Sequence, residues 1–470
     1  MVAVVVLPRQ IEFLYVYSRQ AMSLPLFCAV FMTNYLERLI YPLFLLFVFW
    51  LPIPLGGNRP WAWSINEFFV AGLLLFCILC FSTDHWLHHL KRTRWVLIPL
   101  AIFTLWAFIQ PVLPFGSFED TGLALVSSVK TLHYLQICLI ASVVITNMPR
   151  LKALILVMVS SGVCQGFYAG VIQLVDLPLS PVFDLPNGHR ASGSFVYHNH
   201  LANFLMINLC IGFGLLISQL QDSQKQSITL SAQRFFAVFL SDKAFIRLGL
   251  IIMVIALVLT RSRMGNVAFF IALTTGSLLL LLLYKNKPKS MYVLIASLFV
   301  IDTVIVSTWF GLEKVKQRLV ETSLSNESRD DVVYAALEAI QHQPLLGLGG
   351  GSFYSSFQAY NNGKIQLFYD HAHNDYIQFV FEYGLIGTSI LTVAVVAALL
   401  KSMQAFRNRR SRQMKGAGLG AFMAILGMLI HMSVDFPLQA PATTIYFLLC
   451  LLIAHWAFAI PAVKRKRSDD

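Results

Sequence analysis

Apolar runs of about 17–25 residues recur along the chain, each long enough to cross the hydrocarbon core of a bilayer as a helix. Twelve are read, over 39–55, 66–82, 95–113, 131–147, 153–175, 201–219, 246–260, 266–284, 291–311, 376–400, 416–434 and 442–460. In lipid every backbone N–H and C=O must be satisfied within the element, so such runs become helices. The expected fold class is all-α: a polytopic membrane helix bundle of about 12 transmembrane helices. Composition agrees, with 57% hydrophobic and 12% charged residues among 470, against about 25% charge in soluble domains.

Basic residues set the orientation, because positive loops stay on the cytoplasmic side. Placing both termini inside puts about 25 of the 35 Lys and Arg residues on that face. The large loop between the ninth and tenth spans is then exported. The net charge of +12 needs no nucleic acid, since the basic runs at 91–94, 407–410 and 464–467 act as inner-face anchors. The inner pairs Asp84-His85 and His88-His89 read as a solvated juxtamembrane face.

The expected layout is an inner or interfacial segment 1–38, nine spans over 39–311, an exported loop 312–375 with a helix at 328–343, three spans over 376–460, and a basic inner tail 461–470. The first segment carries Arg9, Glu12, Arg19, Glu37 and Arg38 and lacks a small-residue cleavage site, so it reads as uncleaved. Cys28, Cys77, Cys80, Cys138, Cys164, Cys210 and Cys450 all fall in apolar segments, which argues against an exported disulfide framework.

Chemistry concentrates on the exported face. From Asp370 to Gly387 a histidine-bearing loop runs directly into an apolar helix. Asn374 or Asp375 can cap that helix by accepting from its first free N–H groups. His371 and His373 then lie just outside a helix N-terminus, whose partial positive charge disfavours an imidazolium. A neutral histidine there can act as a base. The third exported loop, 176–200, ends with Arg190, His198 and His200 at the membrane surface, with Gly188 and Gly193 permitting turns. Arg261 and Arg263 occupy a five-residue turn, RSRMG, on the face where positive charge is depleted. Diphosphate binding would account for them, since a guanidinium fork matches phosphate oxygens; snorkelling is the competing account.

In the long loop Arg329 sits in the first turn of the 328–343 helix, against its dipole, and Pro344 ends that helix. The glycine run at 344–357 lacks a phosphate-binding lysine and reads as a tight turn. The exported loop at 110–122 shows no obvious chemistry. His431 and Asp435, at the end of the eleventh span, are intramembrane ionisable candidates for function or for a structural hydrogen bond.

His373-Asn374, nine residues, then Gly384-Leu385-Ile386-Gly387 resembles the signature of the O-antigen ligase and polymerase family of bacterial envelope glycosyltransferases. RASGSFVYHNHLANF from 190, SRMG from 262, the Arg329 to GLGGGSF segment and Asp435-Phe436-Pro437 resemble that family in the same order. The chain departs from it at Tyr197-His198, where many relatives carry a second asparagine or arginine.

The resemblance implies a metal-independent, inverting transfer of a glycan from undecaprenyl diphosphate to an acceptor hydroxyl, without a cofactor, on the periplasmic face of the bacterial inner membrane. It implies His373 as base and Arg190, Arg261, Arg263 and Arg329 as diphosphate ligands. It leaves His198, His200, His371, Asn374, Asp375 and Asp435 as substrate-binding or supporting residues. The acceptor, a second lipid-linked repeat, a lipid A core or a protein hydroxyl, stays open, and a chain-length regulator is a further candidate partner. Two rivals are a twelve-span transporter, which lacks a repeat relating its halves, and a metal site on His198, His200, His371 and His373, which lacks a carboxylate cluster.

Overall fold

The computed structural model describes residues 38–113, 120–219, 242–283 and 330–461 apart from 362, 364 and 366, together with positions 292, 296 and 300. Among the described residues the protein is all-helical, with one isolated bridge between Leu179 and Pro186. The helices in order are α1 (Arg38–Trp50), α2 (Pro60–Cys80), α3 (Thr83–Ile109), α4 (Thr121–Val144), α5 (Met148–Val175), α6 (His198–Ser218), α7 (Asp242–Leu259), α8 (Arg263–Leu283), α9 (330–342), α10 (Asp375–Asn408), α11 (Arg412–His431) and α12 (Pro441–Ala459). Nine of the described helices are long and apolar enough to cross a membrane, with α1 and α7 shorter apolar helices. The expected span at 291–311 apart from positions 292, 296 and 300, the segment 1–37, Arg329 and the tail from 462 lie outside the described residues.

Helix starts differ from the hydropathy reading where polar residues interrupt an apolar run. The third helix begins at Thr83, capped by Ser82, and so carries the 91–94 basic run and the inner histidines. Those residues are not simply a solvated face. His85 Nε2 lies 2.9 Å from Val143 O, and Arg92 donates to Thr146 O at 2.8 Å. Arg150 donates to Val144 O at 2.9 Å, so cations meet the carbonyls at the C-terminal end of α4, where the helix dipole favours them. α4 itself begins at Thr121, its N-cap Asp120 accepting from Leu123 N, and takes in Ser127, Ser128 and Lys130. Trp61 and Trp63 belong to the first turn of α2 rather than to the preceding turn. His198 and His200 likewise open α6 instead of preceding it.

α6, α11 and α12 form the interior and are almost wholly buried. A Cβ on Gly214 of α6 would collide with Gly416 O and lie 2.8 Å from Gly420 Cα on α11. Small residues thus let these two backbones cross closely, the commonest device for packing helices where lipid removes the hydrophobic drive. Cys77 and Cys80 sit within α2, and no disulfide forms among the described residues.

The long helix α10 is broken at Gly384, φ 67° and ψ −179°, a conformation open essentially to glycine alone. The glycine-bearing segment after α9 docks in that break. Leu348 N donates to Phe381 O at 2.8 Å, Gly349 N to Glu382 O at 2.9 Å, and Leu385 N to Pro344 O at 2.9 Å. Gln110, from the loop that showed no obvious chemistry, donates to Leu346 O at 2.5 Å and Glu382 O at 2.7 Å. The glycine run is therefore a strap across the broken helix. Gly387, the second glycine of the signature, admits the Trp106 ring, whose Nε1 donates to Tyr383 O at 3.1 Å.

Candidate active site

Asn374 is the N-cap of α10: its side chain accepts from Ile377 N at 3.2 Å, while its Nδ2 donates to Ser433 O at 2.9 Å. Asp375 follows, fully buried, and grips the turn after α11 from both sides. Its N–H donates to Met432 O at 3.0 Å, its Oδ2 accepts from Leu438 N at 2.9 Å, and its Oδ1 accepts from Gln439 Nε2 at 3.3 Å. Asp375 thus staples the Asp435-Phe436-Pro437 turn to the histidine loop.

That staple sets Asp435 between two histidines. Asp435 Oδ1 lies 3.7 Å from His373 Nδ1, and Oδ2 lies 3.7 Å from His431 Nε2. Both are ion-pair separations, longer than hydrogen bonds. On its other side His431 Nδ1 meets Asn203 Nδ2 of α6 at 2.8 Å. An amide nitrogen can only donate, which assigns Nδ1 as acceptor and puts the His431 proton on Nε2, facing Asp435. His373 has φ 49°, unusual for a residue with a Cβ, and its side chain is 15% exposed. Burial pushes the Asp435 carboxyl up, but His373, His431, His200 and the Phe436 N–H outweigh it and hold the group below the ordinary carboxylate range.

Phe436 gathers the rest. Its ring stacks on His371 at 4.5 Å and on Tyr197 at 5.6 Å, and meets His373 at 4.7 Å and His200 at 5.1 Å edge to face. Three loops distant in sequence converge on this ring, so the structure brings His200, His371 and His373 together around an aromatic hub. Among the described residues no group of three or more His, Cys, Asp or Glu side chains is arranged to hold a metal ion.

Arg190 lies to the Tyr197 side. Arg190 Nη1 lies 3.1 Å from His198 Nε2, and the His198 ring packs 4.6 Å from Tyr197. Ala191 N donates to Leu259 O at 3.0 Å, joining the Arg190 loop to the end of α7. Arg261 follows in that turn with φ 52°, and Arg263 opens α8, which packs on α6 where Gly265 meets Ala202. Arg190, Arg261 and Arg263 thus belong to two adjoining turns.

On the other side of the loop, His371 Nδ1 accepts from Gln378 Nε2 at 3.1 Å, and the same amide reaches Glu382 Oε1 at 3.0 Å. Gln378 Oε1 accepts from Ala372 N at 3.2 Å. Glu382 also receives the N–H groups of Gly351 and Phe353, tying the strap to the site. Burial pushes the His371 imidazole down to about 4, so it is neutral near pH 7. Phe436, Tyr197, Asn203, Gln378 and Glu382 carry no individual sequence signal of a site role. Only the spacing of Asp375, Gln378 and Glu382, which puts three polar groups on one face of an apolar helix, could have pointed there.

Residues 248–392 match the family model described as O-antigen ligase. The match takes in the Arg261–Arg263 turn, α8, the strap, the histidine loop and the Gly384 break. No curated protein matches the chain. A match of this kind implies a glycan-transferring enzyme. Residues 248–392 are thus similar to the O-antigen ligase family, within a chain that carries nine candidate membrane spans among its described residues.

Proposed function

We propose that the protein transfers a glycan from undecaprenyl diphosphate to an acceptor hydroxyl, with inversion, at the periplasmic face of the bacterial inner membrane. The observation that carries this reading is the histidine at the N-terminus of α10 with one ring nitrogen turned to a buried carboxylate, His373 Nδ1 to Asp435 Oδ1 at 3.7 Å. A base needs its second nitrogen toward the substrate and a partner for the charge it acquires.

In the reaction the acceptor oxygen attacks the anomeric carbon opposite the leaving group. The new C–O bond forms as the bond from that carbon to the diphosphate oxygen breaks, and the acceptor proton passes to His373 Nε2. Asp435 stabilises the imidazolium through Nδ1. Charge growing on the departing diphosphate is met by Arg190, Arg261 and Arg263, whose planar guanidinium forks suit phosphate oxygens. Arg329 keeps the same proposed role from its sequence position alone. His198 orients Arg190, and His200 and His371 fix the Phe436 ring.

The membrane layout belongs to the same reading: twelve spans with both termini inside, an exported domain at 312–375, and bundle segments at 39–311 and 376–460. Eleven described helices overlapping eleven of the twelve expected spans support it. Transfer of a labelled glycan from purified undecaprenyl diphosphate donor, offered lipid A core or a second donor as acceptor, tests the assignment. Absence of product with both acceptors contradicts it.

A further inference from the structure

A cavity of about 500 Å³ opens beside the histidine loop between α3, α4, α10 and α12. Its size suits a ligand rather than a packing defect. The walls are of two kinds. Farther along α10 they are apolar, with Leu391, Val395, Leu448 and Leu451; toward the loop they are polar, with Asp370, His371, Gln378 and Glu382. Across from these, α4 presents Ser127, Lys130, Thr131 and Tyr134, the spacing of one helix face. A polar stripe on a membrane helix marks a functional site by default.

Lys130 is the one Lys or Arg among the described lining residues. Helical side chains lean toward the helix N-terminus, here toward Thr121 and the histidine loop. Its Nζ lies 5.3 Å from the Trp63 ring centroid, in the first turn of α2. One turn earlier Ser127 Oγ bonds Tyr383 Oη at 2.6 Å beneath Gly350 of the strap. The ammonium is thus held at the polar mouth. The carboxylates that act on it are Glu67 and Glu382, and Glu382 is already engaged by Gln378 and two strap N–H groups.

None of Arg190, Arg261 and Arg263 lines this cavity. Arg190 meets His198 beside Tyr197, with the Arg261–Arg263 turn adjoining its loop, while the cavity meets His371, and the Tyr197 and His371 rings both stack on Phe436. An inverting displacement brings the nucleophile to the face opposite the leaving group. With the diphosphate on the arginine side, the nucleophile comes from the cavity side. We propose that this cavity is the acceptor site, and that it takes an acceptor carried on a phosphate-bearing lipid, apolar chain against α10 and α12 and phosphate at Lys130. The inference rests on the glycosyl-transfer reading above. A lipid-diphosphate repeat and a phosphorylated lipid A core share this chemistry.

The test uses the full chain in nanodiscs and a radiolabelled, photoreactive polyprenyl diphosphate glycan, with label followed on the α4 peptide. Saturable labelling of α4 is expected, with half-saturation about tenfold higher in Lys130→Gln and near wild type in Lys130→Arg, the scale of one charge-assisted contact. Competition by unlabelled lipid A core, or only by lipid-linked repeat, names the source. Label confined to the 187–219 and 242–283 peptides, or equal labelling of wild type and Lys130→Gln, overturns the proposal. Glycan transfer in the same preparations separates the two claims: label on α4 without product removes the enzymatic reading, and product without label on α4 removes the acceptor site.

Discussion

His373 and Asp435 face each other at 3.7 Å across two loops that Asp375, at the first turn of α10, helps to join by holding the backbone of the second. The carboxylate is buried and the imidazole is reachable. Asp435→Asn is therefore expected to lower kcat by about 10²-fold, the low end of general-base contributions, with little change in KM. Steady-state kinetics of wild type and Asp435→Asn check this, and an unchanged kcat would make Asp435 purely structural.

Asp375 acts through position. Asp375→Ala leaves the half-buried Leu438 N–H without its acceptor, a loss of about 1 kcal/mol. A lower Tm together with reduced kcat is expected, while Asp375→Asn, which keeps an acceptor for that N–H, falls between. Thermal unfolding and transfer rates on the same samples read both effects.

Gly384→Ala meets two obstacles: a conformation that costs a residue with a Cβ about 1–3 kcal/mol, and collision with Leu345 O of the strap. It is expected to lower Tm strongly or abolish folding. Gly170→Ala, with open space around its Cβ, is the control expected to leave Tm unchanged or slightly raised.

His371 contributes a pH dependence of known sign. Its folded-state value near 4 lies below the roughly 6.5 of an unfolded histidine, so between these values the unfolded chain binds the extra proton. Stability should rise with pH across that window and be fully present above it. His371→Gln, followed by thermal unfolding from pH 4 to 7, is expected to flatten that part of the curve; an unchanged slope would assign it elsewhere.

Much of this was legible in the chain. The N-cap Asn374 follows from a short polar side chain before an apolar run, whereas 376–400 reads as one unbroken span and hides the break at Gly384, whose cause is the docked strap. Span positions followed hydropathy until polar residues intervened: α3 and α4 start earlier than expected because Arg92 and Arg150 meet carbonyls at the end of α4, and Ser128 donates to Ala107 O. What the sequence hid is pairing at a distance. Asn203 with His431, Asp375 with Leu438 and the rings around Phe436 join residues on different helices, and such contacts depend on how the helices cross, as where Gly214 meets Gly416.

The most direct measurement of the central claim is the rate of glycan transfer from purified undecaprenyl diphosphate donor by wild type and by folded His373→Ala, at saturating donor and acceptor. The account predicts product with wild type and a loss of at least about 10²-fold in the variant, with donor binding retained. Equal rates in the two proteins would contradict it.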